Sequence, residues 1–372
     1  MHPRLSLHAK SLLDAYLRPE SAASFDAPQW NEVLRLAWRW RLLGRLGLRL
    51  RHAGEFDRMP FKARARLESG IAQAEVHERG VRWEANRVAR ALQGSDVPVV
   101  LLKGGAYVLA ALPSGQGRLV SDLDILVPRA RLPEVERAVL AHGWDSLDPD
   151  DYDDYYYRNW THELPPMRHR DRKFELDIHH TILPPLGNLK PDPTLLFEAA
   201  RPVAGTRFLV LAPEDMVLHS AAHLFQDGEM SAGVRDLTDL DLLFRHFGDV
   251  EPGFWDRLLP RAQSLNLTRP LFYAMRFTRR LLETPFPPTV AHSIGAHGPA
   301  GPILKAMDLI TDRALLPPGV DTHSWDIEFA NLLLLVRGHK LKMPLPILAR
   351  HLSYKAIRPW LDWWNEEKAA NG

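Results

Sequence analysis

Cysteine is absent from the 372 residues, which excludes disulfides, thiolate nucleophiles and zinc sites built on sulfur. Long hydrophobic runs are missing too. Stretches such as 332–336 stop at five residues, far short of the roughly 20 a membrane helix needs. Neither sign of charge dominates: 47 Lys and Arg stand against 46 Asp and Glu. No global field therefore advertises nucleic acid or an anionic membrane, and such a partner would need a local patch. Residues 1–17 are interrupted by Pro3, His8, Lys10 and Asp14, so they lack the apolar centre of a signal peptide. These absences predict a cytoplasmic protein without membrane insertion. Internal repeats and low-complexity tracts are also missing.

What is present is 45% hydrophobic, enough for a substantial core divided over two or three domains. Residues 30–50 (WNEVLRLAWRWRLLGRLGLRL) repeat apolar positions at three and four, as an amphipathic helix does, and 61–92 continue in that style after Pro60. The texture changes at 97–102 (VPVVLL), a short apolar run that reads as a strand entering a tight turn at Lys103, Gly104 and Gly105. A helix is expected over 107–112, a second strand over 118–127, and a helix over 133–142 closed by Gly143. A third strand is expected near 155–163 and a fourth at 173–181 (KFELDIHHT). After Pro184 and Pro185 helical texture returns as far as Trp364, with Pro213, Glu214 and Asp215 opening one helix. The expected fold is α+β: a small mixed sheet over 96–185, flanked by an N-terminal helical region (1–95) and a C-terminal helical domain (186–372).

Asp122 and Asp124 lie two apart on an expected strand, so both project from one face while Leu123, Ile125 and Val127 enter the core. Glu175, Asp177 and His179 likewise share a face of the fourth strand, and a neighbouring strand would bring a third carboxylate to the pair. Phosphoryl and nucleotidyl transfer need two divalent cations about 4 Å apart on such oxygen ligands. At Gly104 and Gly105 the missing side chains would let a triphosphate approach backbone N–H groups. Lys103 and Arg118 are candidates for neutralising its phosphates, and Ser121, directly before the carboxylate pair, joins them as a candidate contact.

The segments LLKGGAYVLA (101–110), RLVSDLDILV (118–127) and ELDIHH (175–180) present, in order, a glycine pair, a two-carboxylate strand and a third-carboxylate strand. In this the chain resembles the nucleotidyltransferase superfamily of the DNA polymerase beta type, and within it a bacterial group of uncharacterised nucleotidyltransferases. APEDMVLHSAAHLF (212–225) and RDLTDLDLLF (235–244) are similar to that group's helical part. The resemblance implies a mixed sheet, two Mg²⁺ (or Mn²⁺) ions, an NTP donor such as ATP, and Asp122, Asp124 and Asp177 as catalytic metal ligands. It departs from the superfamily at Gly105, where serine is usual, and in a longer gap to the first aspartate.

Other readings use the same letters. A lone Asp-x-Asp arises by chance. Phosphatases of the haloacid dehalogenase type place it after a long apolar run, whereas here Ile125, Leu126 and Val127 follow it. A metal-dependent glycosyltransferase and a non-catalytic nucleotide-binding regulator remain as alternatives. Asp215, His219 and His223 share a helix face and read as packing residues, since no Glu of the zinc-protease kind lies between the histidines. His179 either holds the site or packs in its strand; His180 faces the other way. The acidic, aromatic stretch 148–157 reads as a solvated loop. Tryptophans such as Trp38, Trp40, Trp360, Trp363 and Trp364 read as packing anchors. Arg337, His339, Lys340, Lys342, Arg350, Lys355 and Arg358 read as a solvated helix face. Near-neutral charge favours a small-molecule, peptide or polymer-intermediate acceptor over RNA.

Overall fold

A computed structural model describes residues 7–147, 151–226, 228, 230, 232–316, 324–350, 353–354 and 357–358. Four helices lead the chain: Leu7–Leu17, Ala27–Arg39, Leu43–His52 and Phe61–Ala91. The second is started by a capping box in which Asp26 accepts from the Gln29 N–H at 2.8 Å and the Gln29 side chain returns to the Asp26 N–H. The last is preceded by Pro60, the boundary expected from sequence. Helices Leu43–His52 and Phe61–Ala91 touch through glycine. A Cβ on Gly44 would stand 2.8 Å from the Gly117 carbonyl oxygen and 2.9 Å from that of Gly70, so only hydrogen fits there.

Among the described residues seven strands form one mixed sheet: β1 (Val100–Leu101), β2 (Asp122–Leu126), β3 (Trp144–Ser146), β4 (Met167–His169), β5 (Glu175–His179), β6 (Arg201–Pro202) and β7 (Leu209–Val210). Their order is β3-β4-β5-β2-β1-β7-β6. The centre of the sheet is the parallel pair β2 and β5, with β1 antiparallel to β2 and β4 antiparallel to β5. Leu123, Ile125, Leu176 and Ile178 are buried from these two strands, as alternation requires of a face turned to the core.

The strands are shorter than their apolar runs suggest, β1 above all, because Pro98 within VPVVLL has no N–H to offer a ladder. The helix after β1 starts earlier than expected, at Lys103, and runs to Leu109. Gly104 and Gly105 therefore occupy its first turn. No strand forms near 155–163: Asp151–Trp160 is a helix. Its tyrosines invite a strand reading by propensity, but Tyr152, Tyr155 and Tyr156 gather edge-on around Trp160. Arg158 meanwhile bonds Asp154 one turn back and Glu136 across the gap, both helical-face contacts. Of the stretch read as a loop, 151–157 is thus helical and 148–150 lies outside the described residues.

Beyond the sheet the chain is helical again, with Pro213–Gln226, Gly233–Val250, Phe254–Ser264, Thr268–Leu282, Gly301–Leu315 and Trp325–Lys342 as the longer elements. No helix among the described residues is long and apolar enough to cross a membrane. Arg337 is not on a solvated face: it donates to the Phe225 carbonyl at 2.6 Å and lies over the Tyr273 ring. Lys355, Trp360, Trp363 and Trp364 lie outside the described residues. Trp40 is a buried anchor as expected, whereas Trp38 is 62% exposed.

One buried carboxylate ties the three segments of the chain together. Asp239, on Gly233–Val250, accepts from Arg45 of the N-terminal helices at 2.6 Å and from Arg118 of the sheet region at 2.8 Å. Arg45 also donates to the Ser114 carbonyl and Thr238 hydroxyl. Charge removal should leave two buried guanidiniums without the carboxylate they share, a loss of about 3–5 kcal/mol. Asp239→Asn is therefore expected to lower the unfolding free energy from urea titration by an amount of that order, and a loss under about 1 kcal/mol would show that the cluster does not organise the fold.

Candidate active site

The parallel pairing of β2 with β5 sets Asp122 opposite Glu175, Asp124 opposite Asp177, and Leu126 opposite His179. Paired residues in such a ladder point the same way, so Asp122, Asp124 and Asp177 share one face. Glu175 is drawn aside by an ion pair with Arg168 on β4.

Lys103 completes the cluster. It follows the extended Leu102, whose N–H bonds the Asp124 carbonyl at 3.0 Å, and it has a positive φ of 42°. That left-handed conformation disfavours a side chain-bearing residue. Here it accompanies an ammonium 3.2 Å from the Asp124 carboxylate. The same Asp124 oxygen meets Nε2 of His179 at 3.1 Å. On the other side of that ring, Nδ1 stands 3.3 Å from Glu163, which forms an isolated bridge to β5. On Pro213–Gln226, His219 lies close enough to feel the Lys103 charge, and His223 close enough to act on Asp124.

Burial and charge set the three aspartates apart. Burial raises the carboxyl of Asp124, but the Lys103 ammonium and the His179 hydrogen bond and charge outweigh it and hold Asp124 well below the ordinary carboxylate range. Asp177 is pushed up to about 7, by burial first and then by the charge of Asp124. Asp122 is raised by the same two causes, with Lys103 and Arg118 opposing. His219 is driven well below its usual value by burial and by Lys103. The site thus packs more carboxylate than its own cations neutralise, and a divalent ion with a preference for oxygen suits that donor set.

The chain matches the model of a family described as uncharacterised nucleotidyltransferase over residues 26–283. It belongs to that family. No curated protein matches this nucleotidyltransferase-family chain. The matched span takes in the sheet, its carboxylates, the N-terminal helices from Asp26 onward and the helices through Thr268–Leu282.

Of the residues singled out from sequence, Asp122, Asp124, Asp177 and Lys103 come together. Arg118 sits beside them, yet its guanidinium is engaged by Asp239. The glycines turn their side-chain positions toward the protein. A Cβ on Gly104 would collide with the Arg118 guanidinium and meet Val120 at 2.9 Å, and one on Gly105 would meet Leu123 at 2.7 Å. Both glycines are buried in the first turn of a helix whose N-cap, Leu102, has no capping side chain. Ser121 is exposed and lines a cavity of about 430 Å³ with Trp38 and His77 of the N-terminal helices and Arg41 of the turn between two of them. Reading the sequence missed Glu163 and His162, which carry no spacing signal, and took His223 only as packing. Asp215, on the same face as His223, is bound to Arg261 instead of to the site.

The raised carboxyl of Asp177 makes a prediction for the metal-free protein. Its folded value, about 7, lies above the ordinary 3.8, so the folded state holds the proton more tightly. The stability this group contributes is then fully present below about pH 4 and is lost as pH rises toward 7. In EDTA, Asp177→Asn should melt higher than the parent at pH 8, with the difference vanishing near pH 4. A variant that melts lower at pH 8 would contradict the electrostatic account.

Proposed function

We propose that this protein moves a nucleoside monophosphate from an NTP to an acceptor nucleophile and releases pyrophosphate. The observation that carries the reading is the register of β2 against β5, which sets Asp122, Asp124 and Asp177 on one face within a matched nucleotidyltransferase family. Asp122, Asp124 and Asp177 would hold Mg²⁺ or Mn²⁺. Divalent ions bound there supply Lewis acidity at the α-phosphate and neutralise the leaving pyrophosphate.

The chain's own groups do the rest. The acceptor oxygen attacks the α-phosphorus in line, the bond from that phosphorus to the bridging oxygen of the β-phosphate breaks, and pyrophosphate departs with the electron pair. Asp177, on the same face as the pair, takes the acceptor's proton. Lys103, next to Asp124, neutralises phosphate charge, and Arg118 adds positive field from behind. The uncapped first turn at Gly104 and Gly105 offers N–H groups to the phosphates. The cavity beside Ser121, with exposed Trp38 as a stacking surface, receives the acceptor: a small molecule, peptide or polymer intermediate. ATP is the proposed donor.

The test is incubation with α-labelled NTPs, Mg²⁺ and cell extract, reading label on product and free pyrophosphate. Asp124→Asn, first shown native by circular dichroism, should lose roughly 100-fold or more in transfer, the scale of losing one transition-state charge contact. Trp38→Ala should raise the acceptor KM with kcat nearly unchanged. Activity of Asp124→Asn within a factor of two of the parent would overturn the assignment.

A further inference from the structure

We infer that His162, Glu163 and His179 form a second cation site, for a transition-metal ion of the zinc type, next to the carboxylate cluster and chemically distinct from it. The three residues each offer a ligand atom, and these atoms lie within 4.8 Å of one another. A tetrahedral ion with bonds of about 2.0–2.1 Å places its ligand atoms roughly 3.3–3.4 Å apart. The edge from His179 Nδ1 to Glu163 Oε2 already measures 3.3 Å. His162 Nε2 is 4.0 Å from the same oxygen, so closure needs a shift of about half an ångström toward that spacing.

The second observation concerns His179 alone. Its side chain is 2% exposed, and Nδ1 makes no hydrogen bond although a carboxylate oxygen faces it at 3.3 Å. The other nitrogen, Nε2, stands 3.1 Å from Asp124. When Nε2–H donates to Asp124, Nδ1 is left with a lone pair aimed at the Glu163 oxygen. Two acceptors then face each other in a buried place, and a cation between them resolves the conflict. A histidine that donates one nitrogen to a carboxylate and offers the other to a metal is the usual arrangement in metal sites.

The backbone holds these ligands in place. Glu163 bridges His179, the Leu164 N–H bonds the Ile178 carbonyl at 2.9 Å, and the His180 N–H bonds the His162 carbonyl at 2.9 Å. Two imidazoles and one carboxylate suit Zn²⁺ or Co²⁺ far better than Mg²⁺, which takes oxygen ligands. This site does not depend on the magnesium reading. It touches that reading at one point, since an ion on His179 would fix the tautomer that bonds Asp124.

The test uses the full chain, stripped with EDTA and titrated with Co²⁺ in excess Mg²⁺, reading visible absorption and calorimetric stoichiometry. One Co²⁺ per chain is expected, displaced by Zn²⁺. Affinity should fall at least tenfold in Glu163→Gln and in His162→Gln, each first shown native by its melting curve, and should persist in Asp122→Asn. Parent-like Co²⁺ binding in both native Glu163→Gln and native His162→Gln would overturn the site, as would absence of Co²⁺ binding in the parent, which would leave a proton on Nδ1 as the bridging cation. Failure of the nucleotidyl-transfer reading is separate: it would appear as no label transfer, with Co²⁺ binding intact.

Discussion

In-register parallel pairing of two five-residue strands, DLDIL and ELDIH, is the constraint on which the site depends. A slip of one residue would turn Asp124 or Asp177 into the apolar face and bring a leucine or isoleucine out, so register and charge placement are the same fact. The buried residues Leu123, Ile125, Leu176 and Ile178 hold that register by burial. They make the carboxylate face possible by making the alternative costly.

Concentrating carboxylates in this way needs counter-charge, and the fold supplies it from several elements. Lys103 arrives from the end of β1 in a left-handed backbone conformation, and His179, from β5 itself, donates Nε2–H to Asp124. Behind them, Arg118 and Arg45 are committed to Asp239, a contact that joins the N-terminal helices, the sheet and the C-terminal helices around the site. The cavity lined by Trp38 and Ser121 lies between the first two of these segments. The carboxylate face and this cavity thus both rest on the packing of these segments.

Much of this was legible because strand alternation is a local property. Asp122 and Asp124 could be put on one face from their spacing, and so could Asp177 and His179. Which strand neighbours which is not local; the resemblance to a nucleotidyltransferase family supplied the expectation, and the observed sheet order carries it. Glu163 was invisible because a single bridge residue has no periodicity. The tyrosines of Asp151–Trp160 misled because their strand propensity was overridden by packing around Trp160. The glycine pair looked like a turn because close helix-on-sheet packing, against Val120 and Leu123, selects the same residue.

The most direct test of the account is a crystal of the full chain soaked with Mn²⁺ and a non-hydrolysable ATP analogue, read by anomalous scattering. The account predicts Mn²⁺ density between Asp122, Asp124 and Asp177, with the triphosphate running past Lys103. Ordered nucleotide bound elsewhere, with no anomalous density among these three carboxylates, would contradict it.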